Sequence, residues 1–340
     1  MGGMWFEPET LGDSLSETAG YKSGLALSIE EMCDHLASTD YADILVASET
    51  RPTRIRAEDY DDLFFKLLHR IGFTDEEYDG DITGIGLYHK YRGTKLEKVH
   101  EGVLDIFTKT WPIMMQETAS KGEKSINPEL FMRTATERYG RAGLDMAMER
   151  LDVMDKALNL SPHSGQRYTE WNNIESLESL FTGGGRSPEA GKFIDQRFIN
   201  YLYANHDKLK NIHWRKFEEL TAEYFQRNGY KVELGPGTND DGVDVRVWKP
   251  DQNETSDPPQ IIIQCKREKK KIGKIVIKGL YADMKFYEAD YGLIVTSNEL
   301  SPGAKHTISA RGYAIEEINN SGLRKWLEAL QIPGSGIVRV

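Results

Sequence analysis

The chain has 340 residues, 39% of them hydrophobic and 29% charged, with a formal net charge of −11. That length accommodates two domains, and the composition is that of an ordinary globular protein, which excludes disordered and fibrous classes. No apolar run approaches the roughly 18–20 residues that span a bilayer, Met1-Gly2-Gly3-Met4-Trp5-Phe6-Glu7 lacks the basic-then-apolar character of a signal peptide, and two cysteines far apart in sequence, Cys33 and Cys265, imply neither a disulfide framework nor a structural zinc site; the expectation is a cytoplasmic protein with no membrane partner.

Residues 1–182 read as an acidic, mainly α-helical domain. Tyr60 to Phe73 carries Phe64, Leu67, Leu68 and Ile71 at helical spacing. Leu96, Val99, Val103 and Ile106 repeat the pattern, and Leu144, Met148, Leu151, Met154 and Leu158 form a third stripe. Such stripes build cores. His35, His69, His89, His100 and His163 lack the paired spacing of metal ligands. Thr182-Gly183-Gly184-Gly185-Arg186-Ser187-Pro188 is the best linker candidate, and it lacks the Lys-Ser/Thr of a nucleotide-binding loop. Residues 183–210 therefore read as a linker and a lead-in helix from Phe193 to Lys210. A second domain follows at 211–330, with 331–340 as a tail.

The second domain is more legible. His213 to Tyr230 is an amphipathic helix with Phe217, Leu220 and Tyr224 on its apolar stripe and Gly229 as its C-cap. Lys231 to Leu234 begins a strand. Val243, Val245 and Val247 alternate with Asp244, Arg246 and Trp248, the period of a strand. The polar, proline-bounded stretch 249–259 is a loop, and Gln260 to Lys266 is a β-branched strand. Ile275 to Tyr287 reads as a helix and Tyr291 to Thr296 as a buried strand. Ser301-Pro302 opens another helix, with Ser301 as N-cap. Tyr313 to Ile318 is a last strand, and Gly322 to Leu330 a last helix.

Two short strings carry the chemistry. Asp241-Gly242-Val243-Asp244 and Gln264-Cys265-Lys266 stand on consecutive strands, most simply an antiparallel pair. Gln264 and Lys266, two apart, share a face, and a suitable register brings Asp244 beside them. Asp244 and Gln264 offer hard oxygens to a divalent cation. Lys266 can orient or deprotonate a water and offset charge on a phosphate. The competing reading is an Asp-Gly turn and a lysine reaching solvent. Cys265 alternates away from Gln264 and Lys266, as a small core residue rather than a nucleophile.

The order α-β-β-β-α-β, the Phe217-Glu218 helix ending at Gly229-Tyr230, and both strings resemble the Mrr-like restriction endonucleases of the PD-(D/E)XK nuclease superfamily. Leu293-Ile294-Val295-Thr296 and Ser301-Pro302-Gly303-Ala304 fit the same pattern. The resemblance covers about residues 205–330. Gln264 stands where most of the superfamily has an acidic residue, although the Mrr-like branch tolerates Gln, and Val243 replaces a Gly frequent in that branch. The resemblance implies an α/β (α+β) nuclease domain with a mixed central sheet flanked by helices, and a metal-dependent DNA endonuclease. Asp244 would be the central metal ligand, Gln264 the second and the backbone carbonyl of Cys265 a third. Lys266 would be the catalytic lysine, and Glu218 would bind or orient the metal site. Asp240 and Asp241 read as turn residues, Asp241 with a supporting role. The implied cofactor is Mg²⁺, with Mn²⁺ as substitute. The implied role is restriction or another defence against foreign DNA.

The net charge looks wrong for a DNA-binding protein, but residues 211–330 carry as many basic as acidic side chains, and the acid excess lies before them. Arg267, Lys269, Lys270, Lys271 and Lys274 follow directly on the motif strand and are the candidate DNA contacts. The acidic N-terminal domain suits a protein partner, oligomerisation or a cover over the nuclease. Cutting two strands needs two sites, so a homo-oligomer is expected. The competing functions are a catalytically weak DNA-binding or scaffold subunit and a structure-specific repair nuclease.

Overall fold

The computed structural model describes residues 2–78, 84–123, 125–237 and 242–332. Asp240, Asp241 and residues 333–340 of the expected tail lie outside the described residues. The chain forms two compact units, one drawn from Met1–Ala57, Lys66–Glu77 and Thr169–Ser335, the other from Glu58–Phe65 and Tyr78–Tyr168.

The second unit is helical. Helices Glu97–Lys121 and Glu129–Asn159 pack on a core of Val103, Ile106, Met114, Phe131, Ala135 and Met146. The expected stripes at 96–106 and 144–158 are thus parts of much longer helices. The second is interrupted at Gly140, whose φ of 59° and ψ of −143° are not helical. Phe107 meets Phe131 edge-on at 5.2 Å. The expected helix at 60–73 is Ala57–Arg70, shared between the two units, with Ile71 as its C-cap and Phe73 beyond it.

In the first unit, a nine-element run from residue 214 onward contains the motif strands. Helix α1 (Trp214–Arg227) starts where the His213 side chain accepts the Arg215 N–H. Gly229, at φ 86°, takes the left-handed position just past its end. Strands β1 (Lys231–Leu234), β2 (Val245–Trp248) and β3 (Ile261–Lys266) follow, then α2 (Lys274–Phe286), β4 (Tyr291–Thr296), α3 (Pro302–Arg311), β5 (Ile315–Ile318) and α4 (Asn320–Leu330). The sheet order is β1-β2-β3-β4-β5. The first three strands are antiparallel and the last three parallel, the parallel steps crossing over through α2 and α3. Ser301 caps α3 by accepting the Ala304 N–H, as Ser-Pro predicts.

The core beneath α2 holds Val243, Ile262, Ile277, Leu280, Met284 and Ile294, each 4% exposed or less. Each contributes about 1.5–3 kcal/mol of burial. Gly292 lets α2 approach the sheet, because a Cβ there would lie 2.8 Å from the Met284 sulfur. On α1, Tyr224 stacks on Trp326 of α4 with centroids 4.0 Å apart.

Two expectations from the sequence shift. The lead-in helix from Phe193 is a helix Gln196–Ala204 and a separate 3₁₀ turn His206–Lys210. Asp195 caps the helix by accepting the Arg197 N–H, so it cannot begin earlier. The last strand begins at Ile315 rather than Tyr313. The sequence also hid a two-stranded ribbon, Gly3–Phe6 against Thr53–Arg56.

Candidate active site

β2 and β3 pair antiparallel with Val245 opposite Ile263. Asp244 stands just before β2, its backbone fixed on both sides. Its N–H donates to the Ile263 carbonyl at 2.9 Å, and its carbonyl accepts the Gly235 N–H at 2.8 Å. Its carboxylate, 7% exposed as a residue, accepts the Cys265 N–H at 2.6 Å. The two motif strings are therefore joined by a charge-assisted hydrogen bond. Gly242 approaches the same point. It has φ 85°, and a Cβ there would lie 3.0 Å from the Gln264 side-chain nitrogen. Any other residue would be strained and would crowd that amide.

Gln264 supplies the most telling atom. Its Oε1 is buried and has no hydrogen-bond partner among the described residues. Lys266, next but one along β3, is half-buried, and its carbonyl accepts the Thr296 hydroxyl at 2.8 Å and the Ser297 N–H at 3.3 Å. Those bonds tie the lysine's backbone to β4.

Glu218 reaches the site from α1. It is 6% exposed, and its Oε2 accepts from the Arg215 guanidinium at 3.1 Å. The same guanidinium nitrogen donates to the Gly235 carbonyl at 2.7 Å, so Arg215 clamps Glu218 to the chain leading toward Asp244. Arg215 went unnoticed in the sequence, although its i, i+3 spacing to Glu218 was readable.

Cys265 senses the whole group. It is partly buried, and burial pushes its thiol well above the usual range. Asp244 and, more weakly, Glu218 raise it further, while a hydrogen bond to Thr221 and the Lys266 charge oppose. Its sulfur lies 3.5 Å from the Thr221 hydroxyl. A thiol held protonated in this way is no nucleophile. The structure thus brings Asp244, Gln264, Cys265, Lys266 and Glu218 together.

The basic run is dispersed. Arg267, Lys269, Lys270, Lys271 and Lys274 are all exposed. Ile272, 1% exposed, anchors the run midway by bridging to Leu300. Arg267 donates to the Lys210 carbonyl at 3.4 Å, and Lys271 pairs with Glu299 at 2.6 Å. No cluster of three or more His, Cys, Asp or Glu placed to hold a metal occurs among the described residues. The expected ligand set instead draws on an amide and a backbone carbonyl.

Residues 209–327 match the Mrr catalytic-domain family model, described as a restriction endonuclease. This region is similar to a restriction endonuclease domain. The N-terminal half has no family match. A solved structure of the MspJI restriction endonuclease in complex with a 27-mer oligonucleotide is similar at 17% identity and a TM-score of 0.27. The match covers 56% of this chain and 41% of that one. No curated protein matches the chain. The endonuclease domain spans the whole α1–β5 run and most of α4.

Proposed function

We propose that the endonuclease domain hydrolyses DNA phosphodiesters with a divalent cation, Mg²⁺ with Mn²⁺ as substitute. Asp244, Gln264 and the Cys265 backbone carbonyl would hold the ion, with Glu218 orienting the set. The observation that carries this reading is the buried, unpartnered Gln264 oxygen in a group with two buried carboxylates, Asp244 and Glu218. A buried oxygen left unsatisfied costs about 1–3 kcal/mol, and a hard cation is the partner it fits. Endonucleases of this family generally use divalent metal ions.

When bound, such an ion supplies Lewis-acid polarisation of the scissile phosphate. The chain's own residues do the rest. The Lys266 ammonium positions the attacking water and offsets charge accumulating on phosphorus-bound oxygens. Arg215 holds the Glu218 carboxylate in place. Arg267, Lys269, Lys270, Lys271 and Lys274 offer cations to the DNA backbone, Lys271 by exchanging Glu299 for a phosphate. Cutting both strands takes two sites, and a homo-oligomer is part of this reading. The outward stripe of α2 supports it, with Ile275 81% and Phe286 79% exposed. The acid-rich N-terminal region is proposed to regulate or assemble the nuclease, directly or through a protein partner, in defence against foreign DNA.

The test is supercoiled plasmid incubated with the full chain and Mg²⁺ or Mn²⁺, beside Lys266→Ala. Metal-dependent nicking that falls at least about a hundredfold in the variant supports the reading. Cutting retained by Lys266→Ala sinks the mechanism. DNA binding without cutting under either metal favours a catalytically silent binding subunit instead.

A further inference from the structure

The ribbon at the N-terminal end of the chain has an unusual outer face. Gly3–Phe6 pairs antiparallel with Thr53–Arg56, with Trp5 opposite Arg54 and Gly3 opposite Arg56. Strand alternation turns Met4, Phe6, Thr53 and Ile55 to one side, where Ile55 is 3% exposed. The other side carries only Gly3, Trp5, Arg54 and Arg56. Trp5 is 71% exposed, so most of its indole surface faces solvent. The Arg54 guanidinium lies 5.9 Å from the Trp5 ring centroid and folds over Gly3. Neither Arg51 nor Arg54 is paired with a carboxylate among the described residues. Both line a cavity of about 420 Å³, together with Asp43, Ile44, Ala47, Pro52 and Thr53.

We propose that this ribbon is a second nucleic-acid contact, which takes an unpaired nucleotide of DNA. The base stacks on Trp5, and its phosphate sits against Arg54 and Arg51 at the adjoining cavity. Every base has a π face, so such a platform is tolerant of sequence. The planar guanidinium fork matches phosphate oxygens. A nucleotide needs both an aromatic plane and a cation beside it, and this face offers both with little else. The inference rests on the DNA-cleaving reading of the endonuclease domain but not on the residues of its site.

The test uses the full chain without divalent metal, so that no cutting intervenes. A short single-stranded oligonucleotide and the same sequence as a blunt duplex are titrated, following anisotropy and tryptophan fluorescence. The single strand should quench part of the fluorescence. Trp5→Ala should abolish that part and weaken binding about tenfold, with Trp5→Phe restoring affinity. Arg54→Gln should lower the salt dependence by about one phosphate contact. Circular dichroism should be unchanged in all three, because both positions are exposed. Wild-type affinity and quenching in Trp5→Ala and Arg54→Gln, or no binding of either DNA, overturns the proposal. Plasmid cutting is scored separately. Cutting without any Trp5-dependent binding overturns the ribbon alone, whereas Trp5-dependent binding without Lys266-dependent cutting overturns the nuclease reading alone.

Discussion

The two compact units handle charge in opposite ways. Among the described residues, the buried carboxylates are Glu175, Asp195, Glu218, Glu223 and Asp244, all in the unit that contains the endonuclease domain. Among its described residues the helical unit buries His100, Thr110 and Ser161 but no carboxylate or ammonium. Its Lys109–Asp105, Lys121–Glu117 and Arg141–Asp145 pairs are solvent-exposed i, i+4 contacts. Burying a charge costs several kcal/mol unless donors satisfy it, so a buried carboxylate marks either a strap or a site. Partners tell the two apart. Glu223 accepts the N–H groups of Lys192 and Phe193 and the Arg227 guanidinium, and it ties the chain before α1 to α1. Asp195 is likewise saturated. Burial works against its charged form, but hydrogen bonds from Arg197 and the Glu189 N–H hold its carboxyl below the usual range. The group around Asp244 differs, because among the described residues it leaves a buried oxygen of Gln264 without a donor.

The sharpest way to probe the helical side is Phe131→Ala. Phe131 is fully buried against Phe107, so truncation should cost about 3–5 kcal/mol. Urea denaturation followed by helical circular dichroism measures it, and a loss under about 1 kcal/mol would mean the helical core is not built on this residue. On the other side, Glu223→Gln should cost about 2–3 kcal/mol by placing an amide against the donors Glu223 now accepts. Any stabilisation by Mn²⁺ should survive in that variant, since a strap is not a ligand. Loss of the cation response in Glu223→Gln would erase the distinction between strap and site.

Each unit holds a histidine whose pKa burial lowers, and both should respond to acid. Burial, with Lys208 adding to it, holds His35 at about 4 instead of 6.5. Burial also lowers His100, which stacks on Tyr91. Between pH 6.5 and about 4 the unfolded chain binds more protons at His35 than the folded one. Stability should therefore fall as pH drops through that window, and His35→Gln should flatten the slope. An unchanged slope would show that His35 stays protonatable in the fold. The smallest effect belongs to the surface. Asp105→Asn should shift stability by less than about 0.5 kcal/mol, a null result in the same urea assay.

Much of the endonuclease domain was legible because its signals are local. The β-branched run 260–266, the Ser301-Pro302 cap and the valine alternation at 243–247 each specify their own element. The residues of the candidate site were readable for the same reason, being packed into two strings and one helix. What escaped depends on distance or on single atoms. Trp5 and Arg54 lie far apart in sequence on strands of four residues each, too short for a period to stand out. The pairing of Leu25–Ala26 with Glu175–Ser176 is shorter still. The Phe193 to Lys210 stretch reads as one helix because its apolar spacing continues past Asn205, where the backbone turns to φ −121° and ψ 53°. The orphaned Gln264 oxygen belongs to packing, and no pattern of residue types announces it.

The most direct test of the central claim is a calorimetric titration of the purified full chain with Mn²⁺, beside Asp244→Asn. The account predicts a binding event in the wild type that is lost or weakened at least about tenfold in the variant, as removal of a charged ligand requires. Equal binding by both proteins would contradict it, because the cation would then be held somewhere other than the Asp244–Gln264 site.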